Sequence, residues 1–285
     1  MPKSVRTPSL PDAFRLFLEQ HFAGELDLPL LPDVAAQVIA SCNDEKCDAH
    51  GLSELITRDQ SLAAHTLRIA NSAAYAPKEP IVSLQQAISR LGMGTLCEIA
   101  IAVSLQGKVF RVPAYRTRMR EMWMHSAATG AYAKESSRLL RRNVESAFVC
   151  GLLHDVGRPV VLQATLDVWK ESMTGTLPVP VAEAAMEEFH TMIGATLAER
   201  WNMAAWMVAA IRCHHDPFAA ADHQDEASIT CLADLLAHWA LEEGATERDF
   251  DMEHPVLGHL NLYPDDVARL LQLRGKVLDI TEAFL

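Results

Sequence analysis

Seven histidine and aspartate side chains between residues 125 and 234 are of the types that bind divalent metal ions. They are His125, His154, Asp155, His190, His214, His215 and Asp234. Imidazole and carboxylate ligands together suit Fe, Mn, Zn or Ni, whereas the cysteines of this chain are scattered rather than grouped as in a structural zinc site. The residue types therefore predict a cofactor of one or two divalent metal ions.

The adjacent pair His154 and Asp155 carries most of this prediction. It interrupts an apolar stretch, and burying an imidazole and a carboxylate there is costly unless they are paired or bind a cation. Seven ligands exceed the needs of one ion, so Asp155 is expected to bridge two ions about 3.5–4 Å apart, which would hold a hydroxide nucleophile for a phosphorus centre. The plain alternative is that each single histidine is a hydrogen-bonded core residue.

Helices have to position these ligands, because Ala and Leu dominate the periodic stretches and β-branched runs are few. The sequence predicts an all-α fold, with an N-terminal bundle of short helices packed on a C-terminal helical subdomain. Gly, Pro and charged residues at 107–115 indicate a boundary, which gives subdomains at 12–110 and 116–285. His154 and Asp155 are expected inside a helix that Ser146 caps and Gly157 ends.

Charge and hydropathy exclude several classes of function. The net charge of −12 argues against DNA binding and against a polybasic membrane anchor. No apolar stretch is long enough to span a bilayer, and residues 1–3 do not lead into a signal peptide, so we expect a cytoplasmic protein.

Six arginines form the densest basic clusters of the chain. We interpret them as parts of solvated helix faces, and the alternative is a docking surface for an acidic partner or a nucleotide. They are Arg116, Arg118, Arg120, Arg138, Arg141 and Arg142.

Several motifs resemble the HD superfamily of metal-dependent phosphohydrolases, and within it the HDOD domain, the HD-related output domain of bacterial signalling. The motifs are LPLLP at 28–32, LITRDQSL at 55–62, LRIANSAAY at 67–75, WMHS at 123–126, GLLHDVG at 151–157 and AIRCHH at 210–215. The resemblance covers about residues 12–240. It implies an all-α signalling or regulatory module that acts through a protein partner, in a family whose members mostly have no established enzymatic activity. The length leaves no room for a receiver domain, so a free-standing HDOD protein is expected.

The chain departs from the related HD-GYP phosphodiesterases of cyclic di-GMP at two places. Arg158 stands where their lysine follows the His-Asp motif, and His214-His215 leads into Asp216-Pro217 rather than a Gly-Tyr-Pro motif. Arginine replaces lysine poorly in proton transfer because it stays charged. Both changes argue against hydrolysis of cyclic di-GMP, whereas the retained metal ligands argue for some hydrolytic activity.

Two functions therefore stay open. One is a regulatory module that acts by protein–protein contact and holds a metal site or its remains. The other is a metal-dependent phosphohydrolase or phosphodiesterase that acts on a nucleotide or cyclic dinucleotide, with His154, Asp155 and Arg158 as catalytic candidates and Arg158 or Arg212 binding phosphate. His238, four residues after Asp234, is interpreted as a surface histidine, with a supporting contact to Asp234 as the alternative.

Overall fold

The computed structural model describes residues 10–24, 28–42, 48–75 and 77–285, and in this part of the chain it is helical without strands. The all-α prediction is confirmed. The start of the chain, on which the signal-peptide expectation rests, lies outside the described residues. Six helices form the N-terminal part: α1 (Asp12–Ala23), α2 (Asp33–Cys42), α3 (Ala49–Thr57), α4 (Gln60–Ala70), α5 (Leu84–Leu91) and α6 (Met93–Lys108).

The C-terminal part begins with the longest helix and contains every predicted metal ligand. Its helices are α7 (Arg116–Leu139), α8 (Val144–Leu153), α9 (Gly157–Ser172), α10 (Val179–Arg200), α11 (Ala205–Cys213), α12 (Gln224–Leu241), α13 (Pro255–His259), α14 (Pro264–Gln272) and α15 (Arg274–Ala283). None of the described helices is both long and apolar enough to cross a membrane. The cytoplasmic location stays a prediction.

Two buried apolar clusters lie on either side of α7. The larger joins the N-terminal helices to α7–α11, with residues such as Ile56, Leu96, Trp123 and Leu152 fully or almost fully buried. The smaller packs α7 against α12–α15 around Tyr132. Because α7 contributes to both clusters, its rotation is fixed from two sides, and the residues that it carries point in defined directions.

The first helix packs on the C-terminal half of the chain. Phe14 of α1 meets Trp169 of α9 edge-to-face with ring centroids 5.1 Å apart, and Phe22 lies 5.0 Å from Phe189 of α10. Trp201 donates a hydrogen bond from Nε1 to the backbone oxygen of Pro29 at 2.9 Å. Packing of this kind joins the segments on both sides of residues 107–115, and the division into subdomains at 12–110 and 116–285 stays a prediction.

Candidate metal centre

Five elements bring the seven predicted ligands together. His125 lies in the middle of α7, His190 on α10 and Asp234 on α12, while His214 and His215 directly follow α11. The expectation that His154 and Asp155 lie inside a helix is wrong, because α8 ends at Leu153 and residues 154–156 form a turn before α9. The cap is also different, since Asn143 rather than Ser146 caps α8 by accepting a hydrogen bond from the backbone nitrogen of Ser146 at 2.9 Å.

Gly157 begins α9 instead of ending α8. A β-carbon at this position would lie 2.0 Å from the backbone oxygen of His190 and 2.7 Å from the nitrogen of Gly194. Glycine is therefore required because α9 and α10 touch there through their backbones. Pro159 fits the first turn of α9, where a helix does not use the backbone N–H. The turn at residues 154–156 is thus clamped between α8 and α10, and His154 and Asp155 are directed inward.

One cluster of ligand atoms forms around His125. Its Nε2 lies 2.8 Å from Oδ1 of Asp234 and 3.2 Å from Nε2 of His154. His154 Nε2 also lies 3.5 Å from Asp234 Oδ1 and 3.6 Å from Oδ2 of Asp155. These separations between polar atoms are of the size found when several ligands surround one ion.

A second cluster forms around His190. Its Nε2 lies 3.0 Å from Nε2 of His215, 3.4 Å from Nε2 of His214 and 3.4 Å from Oδ1 of Asp155. His214 Nε2 lies 3.8 Å from the same oxygen. Asp155 therefore faces both clusters, with Oδ2 towards His125 and His154 and Oδ1 towards His190 and His214.

The buried imidazoles are oriented by backbone carbonyls. Nδ1 of His154 donates to the oxygen of Gly151 at 2.7 Å, Nδ1 of His190 to that of Met186 at 2.8 Å, and Nδ1 of His214 to that of Ile211 at 2.8 Å. A carbonyl oxygen only accepts, so each Nδ1 carries a proton. The pKa values of His190 and His214 are lowered, so these two rings are neutral near pH 7 and each presents an Nε2 lone pair to the centre. Lone pairs that face each other at these distances repel unless a cation lies between them.

The two carboxylate oxygens of Asp155 differ in their hydrogen bonding. Its Oδ1 is buried and has no hydrogen-bond partner within the described ranges, whereas Oδ2 accepts from Nε of Arg158 at 2.6 Å. A second guanidinium nitrogen of Arg158 donates to Glu187 at 3.1 Å. Arg158 is therefore engaged by two carboxylates and holds Asp155 in place instead of standing free to bind phosphate. Arg212, the other phosphate candidate, pairs with Glu199 at 2.8 Å on an exposed surface.

The protonation states of the buried groups suit metal ligation. Burial opposes ionisation of Asp155 and Asp234, but the neighbouring histidines, together with Arg158 in the case of Asp155, hold the pKa of both carboxyls well below the usual range. Burial lowers the pKa of His190 to about 4 and that of His214 well below its ordinary value. Burial also acts to lower the pKa of His154, but the neighbouring Asp155 and Asp234 outweigh burial, so the pKa of His154 is raised. The centre thus holds two carboxylates and at least two neutral imidazoles near pH 7.

The centre is open to solvent along one side. His154, His190 and His214 are fully buried, whereas His215 is exposed. His238, interpreted as a surface residue, is 68% exposed, but its ring centroid lies 4.3 Å from that of His125 and its Nε2 lies 3.4 Å from Asp234 Oδ1. The spacing of four residues from Asp234 was the signal for this contact. Glu187 gave no comparable signal, because its contact with Arg158 depends on how α9 and α10 pack.

The donor set fits divalent ions that accept nitrogen and oxygen ligands. Three groups, two of which share His125, have ligand atoms within 4.8 Å of one another: His190 with His214 and His215, His125 with His154 and Asp155, and His125 with Asp234 and His238. The unpaired Asp155 Oδ1 and the inward lone pairs are what a bound cation would satisfy. The clusters are therefore suited to metal binding.

A sequence profile of the HDOD domain matches residues 28–217 of the chain, which is well over half of it. The chain belongs to the HDOD family. An uncharacterised protein of Treponema pallidum (strain Nichols) is 24% identical to this HDOD protein over 217 residues, which cover 73% of this chain and 42% of the relative. The chain thus spans less than half of the length of that curated relative.

Solved structures share the fold of this HDOD protein. An HDOD domain protein of unknown function from Geobacter sulfurreducens is 22% identical with a TM-score of 0.70, covering 96% of this chain and 97% of the other. A candidate phosphohydrolase from Shewanella amazonensis SB2B is 22% identical with a TM-score of 0.69, covering 94% and 98%. A candidate signal transduction protein from Marinobacter aquaeolei VT8 is 20% identical with a TM-score of 0.71, covering 96% of this chain and 66% of the other. At these identities the likeness establishes the fold alone.

Proposed function

We propose that this HDOD protein is a metal-dependent phosphohydrolase that acts on a phosphate ester or diester. The observation that carries the proposal is the buried Asp155 Oδ1, which lies among the Nε2 atoms of His190 and His214 without a hydrogen-bond partner in the described part of the chain. A site that served only as scaffold would not need this arrangement, because an unpaired buried carboxylate oxygen destabilises the fold. A bound cation removes that penalty.

The ligand atoms divide into two groups that share Asp155. His125, His154 and Asp234 would hold one ion together with Oδ2, and His190, His214 and His215 would hold a second together with Oδ1. Divalent ions held in this way activate water and polarise a phosphoryl group. The mixed nitrogen and oxygen donors favour Fe, Mn, Zn or Ni over Mg or Ca.

The surrounding side chains prepare the site for this chemistry. Arg158 and Glu187 fix the Asp155 carboxylate, and the backbone carbonyls behind the buried histidines fix the imidazole rings. Burial, followed by the nearby His125, lowers the pKa of His238, so its imidazole is neutral near pH 7. His238 lies on the open side of the centre, where Nε2 can exchange a proton with water or a leaving group.

The proposal is tested with the full chain purified without a chelator or a nickel column. Protein loaded with Mn²⁺ or Fe²⁺ is assayed on bis(p-nitrophenyl) phosphate, p-nitrophenyl phosphate and cyclic di-GMP. We expect turnover of at least one phosphate ester, reduced by about 10²-fold or more in Asp155→Asn and His154→Gln, and unchanged in the control His50→Gln, whose imidazole is 70% exposed and pairs with Glu54. Turnover that does not depend on His154 and Asp155 would refute the proposal.

A second candidate function is regulation by direct protein contact. It is favoured by a groove of about 680 Å³ in the N-terminal part, lined in part by Leu31, Leu62 and Val103, with Leu30 84% exposed at its edge. Leu30 is continuous with the apolar residues of the groove, and a contiguous apolar patch is typical of a surface that a partner covers. Complementation of a deletion strain separates the two functions: Leu30→Asp fails to complement if contact matters, and Asp155→Asn fails if hydrolysis does.

A further inference from the structure

A second potential binding site lies at the amino-terminal end of α7, away from the metal centre. A groove of about 700 Å³ opens there, and its floor consists of buried apolar side chains, among them Phe110, Val112, Met119 and Trp123. Trp123 precedes His125 by two residues, which corresponds to a rotation of about 200° around the helix. The groove and the metal centre therefore lie on opposite faces of α7.

Three exposed arginines line this groove, namely Arg111, Arg116 and Arg120. None of them has an ion-pair or hydrogen-bond partner among the residues that the structure describes. Arg118 in the same helical turn differs, since it is paired with Glu121 at 3.1 Å and with Glu183 at 2.6 Å. These three guanidinium groups form a local patch of positive charge on a protein whose net charge is −12.

The position of these charges is unfavourable for the free protein. Arg116 and Arg120 are four residues apart on α7, so two like charges face each other. They also lie in the first turns of the helix, where the helix dipole disfavours cations. The first turn of α7 has no acidic residue and no side-chain cap. An anion bound in the groove would relieve all of these interactions at once.

We propose that this groove binds an organic phosphate that carries two or more negative charges and a flat apolar group, as nucleoside diphosphates do. Guanidinium groups pair with phosphate oxygens through two parallel hydrogen bonds, and the uncapped backbone N–H groups of α7 favour a compact anion. The aromatic floor of Phe110 and Trp123 suits a flat apolar group. The groove volume lies in the range of small-molecule sites, which favours one compact ligand over an extended acidic peptide.

The test uses the full chain in EDTA, so that the metal centre does not contribute and the outcome is independent of the proposed hydrolase activity. The probe is N-methylanthraniloyl-ADP, followed by fluorescence anisotropy and displaced by ADP, pyrophosphate or adenosine. We expect ADP to displace it better than either fragment. We also expect the Kd to rise at least tenfold in the double variant Arg116→Gln/Arg120→Gln.

Two controls keep the assignment specific. Arg141→Gln removes an exposed arginine just beyond the opposite end of α7 and should leave the Kd unchanged. Asp155→Asn should also leave it unchanged, because the metal centre faces the other side of the helix. The proposal is overturned if the wild-type chain does not bind the probe, if the double variant binds it as tightly as the wild type, or if Asp155→Asn weakens binding equally. Binding of acidic peptides in place of the phosphate probe would likewise overturn it and assign the groove to a protein partner.

Discussion

Gly157 and His190 are in direct backbone contact, and this contact holds the ligand-bearing turn against α10. A β-carbon on Gly157 would lie 2.0 Å from the backbone oxygen of His190, well inside the distance at which real atoms repel. The contact places Asp155, two residues before Gly157, with its Oδ1 3.4 Å from Nε2 of His190. The geometry of the metal centre therefore depends on the absence of a side chain at position 157.

We expect Gly157→Ala to lower the free energy of unfolding by roughly 1–3 kcal/mol or more, because α9 must move away from α10. Urea unfolding followed by circular dichroism measures this. Gly107→Ala is the matched control, since a β-carbon there meets nothing within 4 Å and position 107 lies inside α6. The control should be neutral or more stable by up to about 1 kcal/mol. Equal stabilities of the wild type and Gly157→Ala would show that the backbone contact is not tight.

Bound metal should stabilise the fold through Asp155. At a free Mn²⁺ concentration about 100 times the Kd, the free energy of unfolding should rise by about 2.7 kcal/mol, because the ligands converge only in the folded chain. Asp155→Ala should abolish this increase, and elemental analysis should find its bound metal lost. Asp167→Asn serves as the control, since that carboxylate is 48% exposed and contacts Lys170 rather than the centre. Equal metal content in Asp155→Ala and the wild type would refute the assignment of Asp155 as a ligand.

Arg158 should act on the metal through Asp155. Its hydrogen bond of 2.6 Å to Oδ2 orients the carboxylate, so Arg158→Gln is expected to weaken metal binding by about 10- to 100-fold without removing a ligand. A competition titration with a chelating dye gives the affinity. Arg212→Gln removes an arginine that pairs with the exposed Glu199 and should leave the affinity unchanged. If both variants bind metal like the wild type, the Arg158–Asp155 contact has no role in ligand positioning.

Acid should destabilise the metal-free protein through His190. Burial lowers the pKa of His190 from 6.5 to about 4, so between these values the unfolded chain binds a proton that the folded chain excludes. The free energy of unfolding should fall by about 1–2 kcal/mol between pH 7 and pH 5 from this group alone. The lowered pKa of His214 acts in the same direction, whereas the raised pKa of His154 opposes it.

Urea titrations in EDTA at several pH values measure this slope. His190→Gln should flatten it, since the variant has no imidazole to protonate on unfolding. His50→Gln, which changes an exposed histidine on α3, should keep the wild-type slope. A wild-type slope in His190→Gln would mean that other groups cause the acid sensitivity.

Helix content and the candidate ligands could be predicted from the sequence because both depend on local residue types and spacing. Ala- and Leu-rich periodicity predicts helices wherever they pack, and the GLLHDVG motif marks His154 and Asp155 by residue type and order. The same local reasoning placed the pair inside a helix. Gly157 was interpreted as a helix end, since glycine commonly follows helices, whereas here it permits two helices to touch.

Tertiary structure alone decided how the ligands meet. The sequence predicted seven candidate metal ligands, but only the packing of α7 between two apolar clusters turns His125 towards Asp234 and places Asp155 between both histidine groups. The same packing pairs Arg158 with Glu187, stacks His238 near His125, and leaves Arg116 and Arg120 without partners among the described residues. These relationships depend on the angles and rotations at which helices cross. Such angles are set by side-chain packing between distant segments, and no local pattern encodes them.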